Sequence, residues 1–200
     1  MKRLMILLPL LAFGQFHRAE QDREIRYWLL DPETHQFKIS HDFTVTRVGQ
    51  RSVHSFVRKG STVTGDAQMY NLDTGEPLPT KNVTGKSVNV LGYYPTPVED
   101  DSVVVQGDLP KPVWEGETVR IRCLESYSDP EGYTLKNGEL SWIRTLGRPL
   151  NYVSLPAGWT LTGVNTPAVV TLDSEGRVTL RFTNNRNDNL AVTIRARKRD

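Results

Sequence analysis

The strongest constraint on the fold is a period of two written into residues 159–197. In 177–183, Val178, Leu180 and Phe182 alternate with Arg177, Thr179, Arg181 and Thr183. In 190–197, Leu190, Val192, Ile194 and Ala196 alternate with Ala191, Thr193, Arg195 and Arg197. Successive side chains of a strand point to opposite faces, so strict alternation marks one buried and one wet face, the usual condition of antiparallel sheets. The intervening 184–189 (NNRNDN) is rich in side chains that tolerate left-handed backbone and bond their own main chain. It predicts a hairpin pairing these two strands. Upstream, 159–164 and 168–172 are shorter strand candidates, and the turn Asp173-Ser174-Glu175-Gly176 offers Gly176 for a positive φ. Four strands with short links read as a meander on one sheet of a sandwich or barrel.

The chain starts with Lys2 and Arg3, ten uncharged residues at 4–13 (LMILLPLLAF) and then Gly14. A basic start, a short apolar core and small residues at Ala12 and Gly14 read as a secretory signal peptide over 1–14, cleaved after Gly14 or alternatively after Ala19. Ten residues are too few to cross a hydrocarbon layer of about 30 Å as a helix. The mature chain is therefore expected to carry no transmembrane segment and to be secreted or periplasmic. Cleavage would leave 23 of the 25 basic residues against 23 acidic ones, a balance that gives no ground for nucleic-acid binding. The lone Cys123 excludes an intramolecular disulfide framework and alternates with polar neighbours on the side of Val119 and Ile121, as a small core residue would.

Further strand candidates are 27–30, 37–47, 52–58, 67–71, 78–83, 87–91 and 103–106. Prolines at 95, 97, 110 and 112, with the acids Glu99, Asp100 and Asp101, break the pattern before Trp114. This predicts an N-terminal β domain over 20–108 and a C-terminal one over 112–200. Strands at 118–127, 139–145 and 151–155 bring the second unit to about seven, the number an immunoglobulin-like or fibronectin-like sandwich requires. The expected fold class is all-β, built of antiparallel β-sandwich units.

The common catalytic and metal signatures, HExxH, GxSxG, the P-loop and CxxC, are absent from the sequence. The histidines are His17, His35, His41 and His54. His41 and His54 lie on successive strand candidates, where a hairpin would bring them together. His41 shares its side with Ile39, Phe43 and Val45, which more often marks an enclosed histidine than a ligand. Asp42 belongs to the opposite face. A small hydrolase or metal-dependent site near His41 and His54 is one alternative reading. Calcium held by Glu99, Asp100 and Asp101 with Asp108 and Asp129 is a weaker one.

Tyr93, Tyr94 and Trp114, beside prolines, are candidates for an exposed aromatic surface and for a carbohydrate-binding alternative. If the last hairpin sets Leu180 opposite Val192, Arg177 faces Arg195, and Arg181 and Arg197 extend a basic row. Like charges opposite one another disfavour pairing, so the row is a candidate anion- or partner-binding face. The sequence reading is a secreted or periplasmic, non-catalytic binding or structural module. Its expected partner is a protein or an envelope or extracellular polymer, and no cofactor is implied. Asn82-Val83-Thr84 would accept a glycan only in a eukaryotic secretory pathway.

Overall fold

The computed structural model describes residues 23–185 and 188–199; the signal-peptide segment 1–14, the cleavage site at Ala19 and His17 lie outside the described residues. The chain runs through β1 (Glu24–Leu29), β2 (Gln36–Val45), β3 (Ser52–Phe56), β4 (Thr62–Val63), β5 (Gln68–Asn71), β6 (Pro77–Leu78) and β7 (Thr80–Thr84). A short helix, α1 (Gly85–Val90), precedes β8 (Val103–Asp108), β9 (Val119–Ser128), β10 (Tyr133–Lys136), β11 (Glu139–Leu146) and β12 (Leu150–Ser154). The last strands are β13 (Trp159–Val164), β14 (Val169–Leu172), β15 (Val178–Thr183) and β16 (Leu190–Lys198). The fold is all-β and sandwich-like, as the alternation requires.

A nine-stranded sheet runs in the order β14-β15-β12-β1-β2-β9-β5-β6, with β4 also on β9. A four-stranded sheet, β10-β11-β16-β13, and a three-stranded sheet, β3-β8-β7, complete the architecture. Pairing is antiparallel throughout except between β1 and β12, which run parallel. The spine is β2 on β9, paired over ten residues from Gln36↔Ser128 to Val45↔Val119. That pairing crosses the sequence boundary at 108–112, so the large sheet takes strands from both sides of it.

Parity along the spine shows how the layers stack. Phe37 and Ile39 of β2, with Tyr127 of β9, pack in one core against Trp142, Leu146 and Ile194 of the four-stranded sheet. Phe43 and Val45, with Ile121 and Cys123, pack in a second core with Val53 and Val105 of the three-stranded sheet. The residues that β2 and β9 give to both cores are at odd-numbered positions, hence on one face. The two smaller sheets therefore cover adjacent halves of the same face. Trp142 anchors the first core, edge-on to Tyr27 and Phe37 at centroid distances of 5.2 and 6.4 Å. Each such aromatic pair contributes about 0.5–1.5 kcal/mol beyond the area it buries. On the opposite face, Asp42 takes a two-pronged pair from Arg122 at 2.8 and 2.6 Å.

Two expectations are corrected. The C-terminal strands are not a meander: β14 and β15 pair in the large sheet, while β16 pairs with β11 and β13 in the four-stranded one. Leu180 of β15 and Ile194 of β16 enter the same core from opposite layers. Alternation specifies which face is buried, not which strand lies alongside. The turn at 173–176 does form as expected, with Gly176 at φ 72° and the Asp173 carboxylate accepting from the Glu175 and Arg177 amides. The strand candidate 87–91 is instead the region of α1, whose N-cap Thr84 accepts from the Ser87 amide. Only Gly85 and Val88 of that helix are buried, so no alternating face was there to support a strand.

Candidate functional site

Where the two cores meet, the apolar run on each spine strand is broken by a polar residue. On β2 it is His41, between Ile39 and Phe43; on β9 it is Glu125, between Cys123 and Tyr127. Both are buried, at 8% and 4% exposure. Neither small sheet closes over this seam, and a cavity of about 370 Å³ opens there, walled by Ile25, Tyr27, Ile39, His41, His54, Phe56, Arg144 and Arg148 among others. A wider cleft of about 930 Å³ adjoins it through His41, His54, Phe56 and Arg148, and continues past Arg23, Phe43, Tyr93, Tyr94 and Glu115.

Arg148 comes from the link between β11 and β12, in Gly147-Arg148-Pro149. Asn151, fully buried on β12, holds this link by donating from Nδ2 to the Arg148 carbonyl at 2.7 Å. A Cβ at Gly147 would lie 2.6 Å from Oδ1 of Asn189, the end of an exposed side chain that can swing aside. The Arg148 Nε–H donates to Nε2 of His41 at 3.1 Å. A guanidinium has only donors, so the His41 ring accepts at Nε2 and carries its proton on Nδ1. Burial, then the Arg148 and Arg23 charges, push the His41 pKa down to about 3, and the ring is neutral at pH 7.

His54 enters from the three-stranded sheet. Its Nδ1 lies 3.1 Å from the Tyr94 hydroxyl, and its Nε2 lies 3.4 Å from both Gln106 Oε1 and Ser52 Oγ. Burial lowers its pKa, against the pull of Gln106 and Asp108. The two histidines thus share both cavities, but not through a hairpin: β2 pairs with β1 and β9, and β3 with β8.

The cavity wall is cationic. Among the described residues, Arg23, Arg47, Arg58, Arg144 and Arg148 line the two spaces and Glu115 is the one carboxylate beside them. Arg144 is neutralised by Asp129, 3.1 Å away, and lies over the Phe37 and Tyr27 rings at 4.9 and 5.5 Å. Arg148 has no such partner among the described residues. Burial first, then the Arg23 charge, lower its pKa. The Arg23 Nε is buried without a hydrogen-bond partner. Glu125 accepts from Ser55 Oγ at 2.8 Å and from the Tyr127 hydroxyl at 3.2 Å, while its Oε1 has no partner. Burial raises its pKa.

The structure does not assemble the basic row. Arg177 pairs with Asp173 and Glu175 in the large sheet, and Arg181 lies over the Tyr152 ring at 5.9 Å. Arg195 and Arg197 share Glu139 in the four-stranded sheet. The row required β15 and β16 to be neighbours, and they belong to different layers. Tyr93 and Tyr94 are half-buried on the wider cleft, with the Tyr93 carbonyl accepting from Arg47 at 2.8 Å. Trp114 is 58% exposed and outside that wall.

Of the acids weighed as calcium ligands, Asp108 pairs with Lys81, Asp129 with Arg144 and Glu99 with Lys59. No cluster of three His, Cys, Asp or Glu side chains placed to hold a metal occurs among the described residues. Sequence reasoning missed Glu125 and Arg148. Glu125 was detectable, because it sits on the apolar side of the alternation containing Cys123; Arg148, in an irregular link, left no signal.

No protein-family model matches the chain, and no curated protein matches it. Among solved structures it is similar to an M1 zinc metallopeptidase from Deinococcus radiodurans, at 17% identity and a TM-score of 0.48 over 88% of this chain. It is also similar to an aminopeptidase N family protein from Idiomarina loihiensis, at 10% identity and a TM-score of 0.49 over 86% of this chain. The chain spans 41% and 29% of the lengths of those two proteins.

Proposed function

We propose that the protein is an exported, non-catalytic binding module whose ligand or partner group enters the cavity at the seam of the three sheets. The observation that carries this reading is the state of the cavity's polar groups. Nε2 of His41, where a general base would act, is occupied by Arg148, and burial beside the Arg148 and Arg23 charges makes that ring a weak base. Ser55, a hydroxyl on the wall, donates to Glu125 rather than to a histidine, and Ser52, 3.4 Å from Nε2 of His54, lines neither space. Nucleophilic catalysis needs a hydroxyl or thiol within reach of its base and an orienting third group. Cys123 is buried and its pKa is raised by that burial. What the site offers is concavity, apolar walls and a few convergent polar groups, the ordinary features of a ligand pocket.

Export rests on the basic and apolar pattern of 1–14. Intact mass of the protein from the extracytoplasmic fraction, shorter by residues 1–14 or 1–19, is the expected result. The binding reading is tested on full-length protein by titrating pooled metabolites and short peptides and following histidine ring and backbone amide NMR signals. Shifts concentrated at His41, His54 and Phe56 are expected. Hydrolysis of nitrophenyl esters or amino-acid nitroanilides that His54→Ala abolishes would overturn it in favour of an enzyme. A carbohydrate-binding reading draws on Tyr93 and Tyr94 in the cleft and on exposed Trp114; it requires quenching of tryptophan emission by soluble polysaccharide.

A further inference from the structure

We infer that the junction of the seam cavity and the wider cleft is a site for a small organic acid, its carboxylate held by Arg148, which lines both spaces, with Arg23 of the cleft, and its apolar body lying in the seam cavity against Ile25, Ile39 and Phe56. This assignment rests on the binding reading above and gives it a ligand class. Arg148 presents a planar fork of donors, of which the Nε–H is used by His41. That bond fixes the plane of the guanidinium, leaving its terminal nitrogens for a cavity occupant. Neither Arg148 nor Arg23 forms a salt bridge among the described residues, whereas their neighbour Arg144 is paired with Asp129. Two uncompensated guanidinium groups that repel one another in a partly dehydrated cleft are costly, and an anion between them would offset that cost. Arg23 lines the wider cleft that Arg148 also lines, so one occupant of the junction adjoins both.

The shape of the head and body follows from the walls. Guanidinium forks match carboxylates through two parallel N–H···O bonds. His41 cannot add a second charge, because burial beside the two arginines keeps it neutral. Beyond the arginines the smaller cavity is faced by Ile25, Ile39, Phe56 and the aromatic rings of Tyr27 and Tyr127. At about 370 Å³ it is of a size for a single ring or short chain.

The test titrates full-length protein with phenylacetate, its neutral isostere phenylacetamide and inorganic phosphate, reading the His41 and His54 ring signals and the calorimetric heat. Phenylacetate binding with shifts at His41, and weakening by about 10- to 100-fold in Arg148→Gln, is the expected result for loss of a charge-assisted hydrogen bond. Arg23→Gln serves as the second variant if Arg148→Gln does not fold, and Arg181→Gln, on the Tyr152 ring, is the control that keeps wild-type affinity. Equal binding of phenylacetamide with the same shifts would overturn the carboxylate assignment while leaving the binding module intact. Phosphate displacing phenylacetate at equal concentration would overturn the apolar-body requirement. No response to any of the three probes, in a protein that does respond to a metabolite pool, would overturn this inference alone; no response to the pools either removes the binding reading itself.

Discussion

Nε of Arg148 lies 3.1 Å from Nε2 of His41, so a charged donor is held by a neutral ring at the one point where the apolar face of β2 is interrupted. The pair is a consequence of architecture. Two small sheets share one face of a large one, their cores begin at Ile39 and Phe43, and the residue between them is left at the seam. Polar side chains survive there because the cavity supplies what neither core can, room for a hydrogen-bonding partner.

Burial of the neutral ring, with the Arg148 and Arg23 charges beside it, makes stability fall on the acid side. The folded-state pKa of His41, about 3, is below its unfolded value of 6.5, so between these pH values the unfolded chain binds more protons. Stability contributed by the neutral ring is full above pH 6.5 and is lost as pH falls toward 3. The slope is about 1.4 kcal/mol per pH unit for one proton. His41→Asn should flatten the urea-unfolding free energy between pH 6 and 4 by roughly that slope. An unchanged slope in the variant would remove His41 as the source.

Glu125 titrates in the opposite sense. Burial raises its pKa above the ordinary carboxylate value of 4.5, so the native state holds its proton more tightly than the unfolded chain. The favourable contribution is complete below pH 4.5 and is lost as pH rises through the folded value. Glu125→Gln, which keeps the shape and can still accept from Ser55, should be near neutral at pH 4 and stabilising by about 1 kcal/mol at pH 8. Denaturant midpoints at the two pH values decide it; a variant less stable at pH 8 would mean that the carboxylate is satisfied in solution.

Much of the layer structure was legible because alternation reports faces. The odd positions of 37–45 and 119–127, apart from His41 and Glu125, and the even positions of 178–182 and 192–196 are the ones that enter the cores. Pairing was not legible. It depends on which strands the core brings alongside, and β15 and β16, six residues apart along the chain, end in different sheets. The parallel contact of β1 with β12 joins segments more than a hundred residues apart, and nothing local in either records it. The same limit hid the cavity: His41 was visible as an anomaly, but its partner Arg148 comes from a link with no periodicity.

Two glycines should respond oppositely to alanine. Gly85 starts α1 and its amide donates to the Ser102 carbonyl at 2.9 Å. A Cβ there would fall on the Glu99 carbonyl oxygen and 2.9 Å from Val98 Cγ2. Backbone cannot swing aside as a side chain can, so Gly85→Ala should cost about 2 kcal/mol or more. Gly163 lies at the register shift between β13 and β16, has no positive φ and has open space around its Cβ position. Gly163→Ala should be neutral or stabilising by about 0.5 kcal/mol through the unfolded chain. Thermal midpoints that order the two variants the other way would contradict both steric readings.

The buried pair of Arg144 and Asp129 should behave as a unit. Their side chains are 9% and 10% exposed, and Asp129 also accepts from the Gly132 amide at 2.9 Å. Asp129→Asn leaves a charged guanidinium over the Tyr27 and Phe37 rings without its counter-ion, a loss of about 3–5 kcal/mol for such a broken pair. Arg144→Met strands the carboxylate at a similar cost but keeps aliphatic volume against those rings. The double variant removes both charges and keeps the amide contact to Gly132, so it should be more stable than the sum of the single losses predicts by about 2 kcal/mol or more. A double-mutant cycle by urea unfolding measures that coupling. Additive losses would mean that water, rather than Asp129, already balances the Arg144 charge, and the two adjoining spaces would then hold a third uncompensated arginine besides Arg148 and Arg23.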